Sequence, residues 1–122
     1  MAGTILVVDD DEQFLDSVRA VLSTPEVTVE TAVTAAEACE KLDRGIFCGL
    51  VLDVVLGDGS GFDVLRHMEK TGKVIPTVVV TQKLPLYVRE MLDEDLVKMV
   101  FPKPIEPRLL AAVVFGLCGI ES

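Results

Sequence analysis

Short apolar segments alternate with amphipathic segments along the whole chain. Most of the short segments are apolar at every position, which is typical of strands in a parallel sheet covered by helices on both faces. One of them alternates apolar and polar positions, as an edge strand does. The pattern therefore predicts an α/β fold in a single domain, residues 1–122. Its five strands are Ile5–Val8, Val27–Thr31, Leu50–Leu52, Val74–Val80 and Val97–Phe101.

Helical spacing of apolar residues predicts five helices between and after these strands. Thr34 and Glu37 have the spacing of a capping box, which indicates the start of the second helix. Gly72 suits the end of the third helix, and Pro107 suits the first turn of the last one. The predicted helices cover residues 11–22, 34–42, 62–72, 84–92 and 107–120.

Polar side chains follow four of the five strands at the point where each strand ends. Asp9 and Asp10 come directly after the first strand, and Asp53 follows the third. Thr81 follows the fourth strand, and Lys103 comes just after the fifth. Because ligand sites of open parallel sheets form at the carboxyl ends of the strands, we expect these side chains to share one edge.

The residue types at this edge indicate phosphoryl chemistry. Three carboxylates gathered without a cation would repel one another, and oxygen ligands of this kind suit Mg²⁺. Asp53, held beside such an ion, could act as the nucleophile and form an aspartyl phosphate. Lys103 would supply a fixed positive charge, and Thr81 would supply a hydroxyl donor to a phosphoryl oxygen.

From Ile5 to about Leu117 the chain resembles the receiver domain of two-component response regulators. The resemblance implies that Asp53 is the phosphoacceptor and that a sensor histidine kinase or a histidine phosphotransfer protein is the donor. It also implies slow hydrolysis of the aspartyl phosphate, a signalling role rather than metabolic catalysis, and a flavodoxin-like strand order of 2-1-3-4-5. The segments that carry it are Val7–Asp11, Leu52–Gly61, Thr81 and Lys103-Pro104.

The same resemblance assigns roles to individual residues. Asp9, Asp10 and Asp53 would bind Mg²⁺ together with the backbone carbonyl of Val55. Thr81 would reorient towards the phosphoryl group, and Lys103 would pair with it. The bond between Lys103 and Pro104 is expected to be cis, a state that only proline makes inexpensive.

Four positions depart from the family pattern. Gln82 stands where a small residue usually follows the threonine, and Val100 stands where an aromatic switch residue is usual. Phe101 is adjacent, but strand alternation would direct it to the opposite face of the sheet. Leu56-Gly57 replaces the usual Met-Pro. Gln82 and Val100 favour an alternative function, a receiver-like interaction module without phosphorylation control, whereas the complete acidic set with Thr81 and Lys103 opposes it.

Composition and charge limit the classes of partner. Half of the 122 residues are hydrophobic, enough for the core of one domain. The 20 acidic and 11 basic side chains give a net charge of -9, which repels nucleic acid and anionic lipid. The stretch Leu109–Ile120 is shorter than the ~20 residues that a membrane span requires. It reads as a terminal helix whose apolar residues pack on the sheet or form a patch for a homodimer or a neighbouring domain.

The cysteines show no paired spacing, and their number is odd. We therefore expect Cys39, Cys48 and Cys118 to be buried thiols in a reducing cytoplasm. No signal segment opens the chain, which also favours a cytoplasmic location.

Other polar residues are expected to have structural roles. Asp11 and Glu12 fit the first turn of a helix, where negative charge is favoured. Asp58 lies between two glycines and is expected in a turn. His67, the only histidine, is expected on a helix surface. Gly57, Gly59 and Gly61 lack the pattern of a nucleotide-binding loop, which argues against a protein that binds a phosphorylated ligand.

Overall fold

The computed structural model describes residues 3–82 and 95–120. Four helices and seven strands are present in these residues. The helices are α1 (Glu12–Leu22), α2 (Ala35–Arg44), α3 (Gly61–Thr71) and α4 (Pro107–Leu117). The strands are β1 (Gly3–Val8), β2 (Val27–Ala32), β3 (Gly49–Leu52), β4 (Val55–Leu56), β5 (Gly59–Ser60), β6 (Thr77–Thr81) and β7 (Val97–Pro102). The predicted helix 84–92 lies outside the described residues.

Five strands form one parallel sheet in the order β2-β1-β3-β6-β7. Counting only these five strands, the order is 2-1-3-4-5, so the predicted flavodoxin-like topology is confirmed. β4 and β5 form a separate antiparallel hairpin directly after β3. Parallel pairing places the carboxyl ends of β1, β3, β6 and β7 along one edge of the sheet.

Helices cover both faces of the sheet, as the fully apolar strands predicted. Successive side chains of a strand point to opposite faces. Leu6 and Leu50 therefore pack with α2 and α3, whereas Val7 and Val51 pack with α1 and α4. Phe101 packs on the α1 and α4 side.

The fourth predicted strand begins later than expected. β6 starts at Thr77 rather than at Val74, whose side chain is 73% exposed. Pro76 has no N–H to donate, although its carbonyl accepts a hydrogen bond from Leu50 N at 3.0 Å. The apolar residues that precede the strand belong to the loop after α3.

The predicted capping box of α2 is only half present. Thr34 caps the helix and accepts a hydrogen bond from Glu37 N at 3.0 Å. The carboxylate of Glu37 accepts from Val33 N, one residue before the cap, at 2.8 Å. A complete capping box instead opens α3, where Ser60 and Asp63 exchange the two bonds. Gly72 ends α3 in the left-handed conformation, with φ 75°.

The expectation of unpaired cysteines is wrong for two of the three. Cys48, just before β3, forms a disulfide with Cys118, the C-cap of α4, and their Cα atoms are 5.1 Å apart. The two residues are 70 positions apart, so no local spacing signals the pair. A Cβ at Gly49 would lie 3.2 Å from Cys118 Sγ, which shows how closely the bridge packs on β3. Cys39 is a free, half-buried thiol.

The last helix buries half of its apolar residues against the sheet. Leu110 and Val114 are fully buried against the sheet, whereas Leu109 is 51% exposed. Within residues 3–82 and 95–120, no helix combines the length and the apolar character needed to cross a membrane.

Candidate functional site

Three aspartates meet at the carboxyl edge of the sheet. Asp9 follows β1, and Asp53 follows β3, the strand beside it. Asp9 and Asp53 are buried, whereas Asp10 is exposed. One carboxylate oxygen from each residue lies within 4.8 Å of the other two. Among the described residues this acid cluster is the only group of His, Cys, Asp and Glu side chains that could hold a metal ion.

Lys103 reaches into the acid cluster from the end of β7. Its Nζ lies 2.6 Å from Asp9 Oδ2 and 3.2 Å from Asp53 Oδ2. The Lys103 N–H also donates to Thr81 O at 2.9 Å, which fixes its backbone beside β6. The peptide bond to Pro104 is cis, as expected. The centroid of the Phe14 ring in α1 lies 4.5 Å from Nζ, a cation–π contact that no local sequence pattern indicates.

Burial and pairing shift the pKa values of two of these groups. Burial raises the pKa of the Asp9 carboxyl, and the hydrogen bond from Lys103 opposes that shift without cancelling it. Burial alone would lower the pKa of Lys103, but its hydrogen bond with Asp9 and the charges of Asp9 and Asp53 raise it above the usual value. Lys103 is therefore charged at neutral pH.

Backbone donors orient the two buried carboxylates. Asp11 N donates to Asp9 Oδ1 at 2.9 Å, and Val55 N donates to Asp53 Oδ1 at 3.0 Å. The second oxygen of each carboxylate contacts Lys103. The Asp11 side chain caps α1 and accepts from Gln13 N and Phe14 N, which confirms its predicted structural role.

Thr81 ends β6 and is buried at the same edge. With Asp10, Asp53 and Lys103 it lines an open cavity of about 960 Å³. Gln82 also lines this cavity and is exposed. The structure thus brings together all five side chains that the sequence placed at one edge.

The backbone of Gly61 lies very close to the backbone of Asp53 and Val54. A Cβ at Gly61 would overlap the carbonyl oxygen of Asp53 and would lie 2.8 Å from Val54 Cα. Its N–H donates to Val54 O at 3.0 Å. Glycine is therefore required sterically at the start of α3, where the chain folds back on the segment that carries Asp53.

Asp58 lies in the turn of the β4–β5 hairpin, as predicted, but it has a further role. Its carboxylate accepts hydrogen bonds from Ala35 N at 2.9 Å and Ala36 N at 3.2 Å, the first two N–H groups of α2. The bond from Ala35 N is the main cause that lowers the pKa of Asp58. Sequence reasoning missed this contact because its partners are more than 20 positions away.

His67 lies on α3, partly exposed as expected. Its Nε2 is 2.7 Å from Asp43 Oδ1 in α2. The pair joins two neighbouring helices, and His67 does not belong to the acid cluster.

The fold and the site define a signalling domain of the receiver class, with an acidic pocket and a lysine at the carboxyl edge of a parallel sheet. A family model described as the response regulator receiver domain matches residues 5–115. The chain therefore belongs to this family, and it is a receiver domain of two-component signal transduction.

Individual relatives agree with this assignment. Response regulator MprA of Mycobacterium ulcerans is 39% identical over 83 residues, covering 68% of this chain and 36% of the relative. The alginate biosynthesis transcriptional regulatory protein AlgB of Pseudomonas putida is 30% identical over 130 residues, covering 96% of this chain and 29% of the relative. The chain thus spans about a third of the length of these relatives.

A solved structure supports the fold over nearly the whole chain. The CheY-like response regulator receiver domain protein from Methanospirillum hungatei superposes with a TM-score of 0.85 at 29% identity. The match covers 96% of this chain and 94% of that one.

Proposed function

We propose that Asp53 accepts a phosphoryl group from the phosphohistidine of a sensor histidine kinase or a histidine phosphotransfer protein. The observation that carries this proposal is the contact of Lys103 Nζ with oxygens of both Asp9 and Asp53 inside a cluster of three aspartates. A nucleophilic carboxylate, a fixed cation and further acidic ligands are the parts that phosphoryl transfer requires.

The acid cluster fits a divalent cation of the Mg²⁺ type. Carboxylate oxygens of Asp9, Asp10 and Asp53 are close enough to share one ion, and oxygen donors are the ligands that Mg²⁺ prefers. The backbone carbonyl of Val55 would complete the protein ligands. When bound, the ion would neutralise negative charge on the carboxylates and on the incoming phosphoryl group.

The protein side chains divide the remaining work. A carboxylate oxygen of Asp53 forms the new bond to phosphorus while the bond between phosphorus and the donor histidine nitrogen breaks. Lys103 stays charged and balances the negative charge of the phosphoryl oxygens, and the Thr81 hydroxyl donates to one of them. Attack by water on phosphorus later breaks the bond between phosphorus and the Asp53 oxygen and releases inorganic phosphate, and this autodephosphorylation returns Asp53 to its free carboxylate.

The test is the intact mass of the protein after incubation with acetyl phosphate and Mg²⁺. We expect the wild-type chain to gain the mass of one phosphoryl group and Asp53→Asn to gain none. Phosphorylation that persists in Asp53→Asn would refute the assignment of the acceptor.

A second candidate function is an interaction module that phosphorylation does not control. Val100 at the usual aromatic position favours this function. The neighbouring Phe101 packs on the α1 and α4 side of the sheet, so it does not take the place of the aromatic switch residue. We infer that the conformational response to phosphorylation at Asp53 is atypical because the usual relay from Thr81 through Val100 does not operate. Amide shifts on adding beryllofluoride and Mg²⁺ should stay near the acid cluster, and shifts spreading from Thr81 through Val100 would contradict this inference.

We further propose that residues 1–122 act as one domain in the cytoplasm, where a histidine kinase could reach Asp53. The net charge of -9 supports the absence of direct nucleic-acid contact by this chain, although AlgB is named as a transcriptional regulatory protein. Leu109, exposed on α4, is the residue around which a homodimer or neighbouring-domain contact would form.

A further inference from the structure

The β4–β5 hairpin lies beside the acid cluster at its first strand and at its turn. Val55 N donates to Asp53 Oδ1, and a Cβ at Gly57 would lie 3.7 Å from Asp10 Oδ2. The hairpin has only two residues in each strand. An isolated hairpin is marginally stable at best, so a hairpin this short depends on contacts with the rest of the protein to hold its shape.

Asp58 provides such a contact at the turn of the hairpin. Its two carboxylate oxygens accept from Ala35 N and Ala36 N, whereas Thr34 accepts from Glu37 N. The N–H groups of the first turn of α2 have no acceptor within the helix. The carboxylate of Asp58 accepts from two of them, and the hydroxyl of Thr34 accepts from a third. Among the described residues, the hydrogen bonds of Asp58 join this turn to the hairpin.

The start of α2 is also tied to the acid cluster from the other side. Asp9 N donates to Ala32 O at 3.0 Å, and Ala32 ends β2 shortly before α2. A closed path of contacts therefore runs from Asp9 through Ala32 to α2, then through Asp58 and the hairpin to Asp53. Breaking the Asp58 contact opens this path.

We propose that Asp58 is a positioning residue that holds the Val55 carbonyl in place for the cation and couples cation binding to the first turn of α2. The inference rests on the proposed function, because it assumes that the acid cluster binds Mg²⁺. Coupling of this kind is reciprocal: a contact that strengthens cation binding is itself strengthened when the cation binds.

The experiment compares Mg²⁺ binding to the wild-type chain, Asp58→Ala and Asp58→Asn by isothermal titration calorimetry. Asp58→Ala should raise the dissociation constant about tenfold, the lower end of the effect of removing a supporting residue around a metal ligand. Asp58→Asn keeps one acceptor oxygen and should fall between the two. Thr34→Ala is the matched control, since it removes the other cap of α2 without touching the hairpin, and its dissociation constant should equal that of the wild type.

A second readout follows the coupling without relying on activity. Mg²⁺ should slow hydrogen exchange at the amides of Ala35 and Ala36 in the wild type and in Thr34→Ala. It should have no effect on them in Asp58→Ala. Far-UV circular dichroism checks that each variant is folded, and if Asp58→Ala is not, Asp58→Asn carries the comparison.

The outcomes separate the two proposals. Equal Mg²⁺ affinity in Asp58→Ala and the wild type would overturn the role of Asp58 and leave the acid cluster as a cation site. An equal loss of affinity in Thr34→Ala would also overturn it, because helix capping alone would then explain the effect. A wild-type chain that does not bind Mg²⁺ at the acid cluster would overturn both proposals.

Discussion

Lys103 Nζ lies 2.6 Å from Asp9 Oδ2, although 94 positions of sequence separate the two residues. The contact exists because parallel pairing brings the ends of β1 and β7 to one edge of the sheet, where Lys103 extends past Asp53. Lys103 thereby neutralises part of the charge that the buried aspartates carry. It also contacts one oxygen of each of two aspartates that would hold a cation.

Replacing Lys103 should separate phosphoryl transfer from cation binding. Lys103→Met should slow phosphorylation by acetyl phosphate by roughly 10²-fold, the effect expected on removing one group that stabilises charge in the transition state. The same substitution should tighten Mg²⁺ binding, because two carboxylates lose a competing positive charge. Rates are measured by intact mass, and affinity is measured by calorimetry.

Lys98→Met is the control for this substitution, since Lys98 is an exposed lysine of β7, the strand that leads to Lys103. It should leave both the rate and the affinity unchanged. Weaker Mg²⁺ binding in Lys103→Met would show that the lysine supports the cation site rather than competing with it.

The raised pKa of Asp9 predicts how Mg²⁺ stabilisation depends on pH. In the folded protein this carboxyl takes up a proton above its ordinary pKa of 3.8. Between that value and the raised pKa, the folded state binds more protons than the unfolded state. Acidification therefore stabilises the metal-free folded state and weakens the binding of Mg²⁺ to the Asp9 carboxylate. The increase in Tm caused by Mg²⁺ should therefore shrink as the pH falls through the raised pKa of Asp9.

Thermal unfolding of the wild type and of Asp9→Asn checks this prediction. The variant should show a smaller Mg²⁺ effect with a weaker dependence on pH. A Mg²⁺ effect that grows on acidification would contradict the assignment of Asp9 as a ligand.

Two glycine substitutions should change stability in opposite directions. Gly61→Ala forces a Cβ onto the Asp53 carbonyl and should lower the free energy of unfolding by about 1–3 kcal/mol. Gly116 lies within α4, and a Cβ added there would meet no atom within 4 Å. Because glycine loses more conformational freedom than alanine when a helix forms, Gly116→Ala should raise the free energy of unfolding by about 0.5–1 kcal/mol. Urea denaturation measures both, and equal effects would contradict the close approach at Gly61.

The Cys48–Cys118 disulfide can be tested by counting the reactive thiols of the chain. Under denaturing conditions without reductant, a thiol reagent should label only Cys39, and after reduction it should label all three cysteines. Loss of the bridge in Cys48→Ser should lower the free energy of unfolding by about 2–4 kcal/mol, whereas Cys39→Ser should have little effect. Three reactive thiols before reduction would show that the bridge is absent.

The sequence predicted the fold and the acid cluster because both depend on where buried strands end. Asp9, Asp53, Thr81 and Lys103 each follow an apolar run, and parallel topology alone brings them together. The start of β6 was misjudged because Val74 is apolar yet exposed. The contact of Asp58 with α2 and the Cys48–Cys118 bridge were not predictable, since nothing local to Asp58 or Cys48 indicates which residue lies opposite.

The most direct test of the account is a crystal structure of the chain with Mg²⁺ and beryllofluoride, an analogue of the phosphoryl group. We predict beryllofluoride bonded to a carboxylate oxygen of Asp53, in contact with Lys103 and Thr81, and Mg²⁺ held by Asp9, Asp10, Asp53 and the Val55 carbonyl. Beryllofluoride at another residue, or a cation bound away from the acid cluster, would contradict the central claim that these strand ends form one phosphoacceptor site.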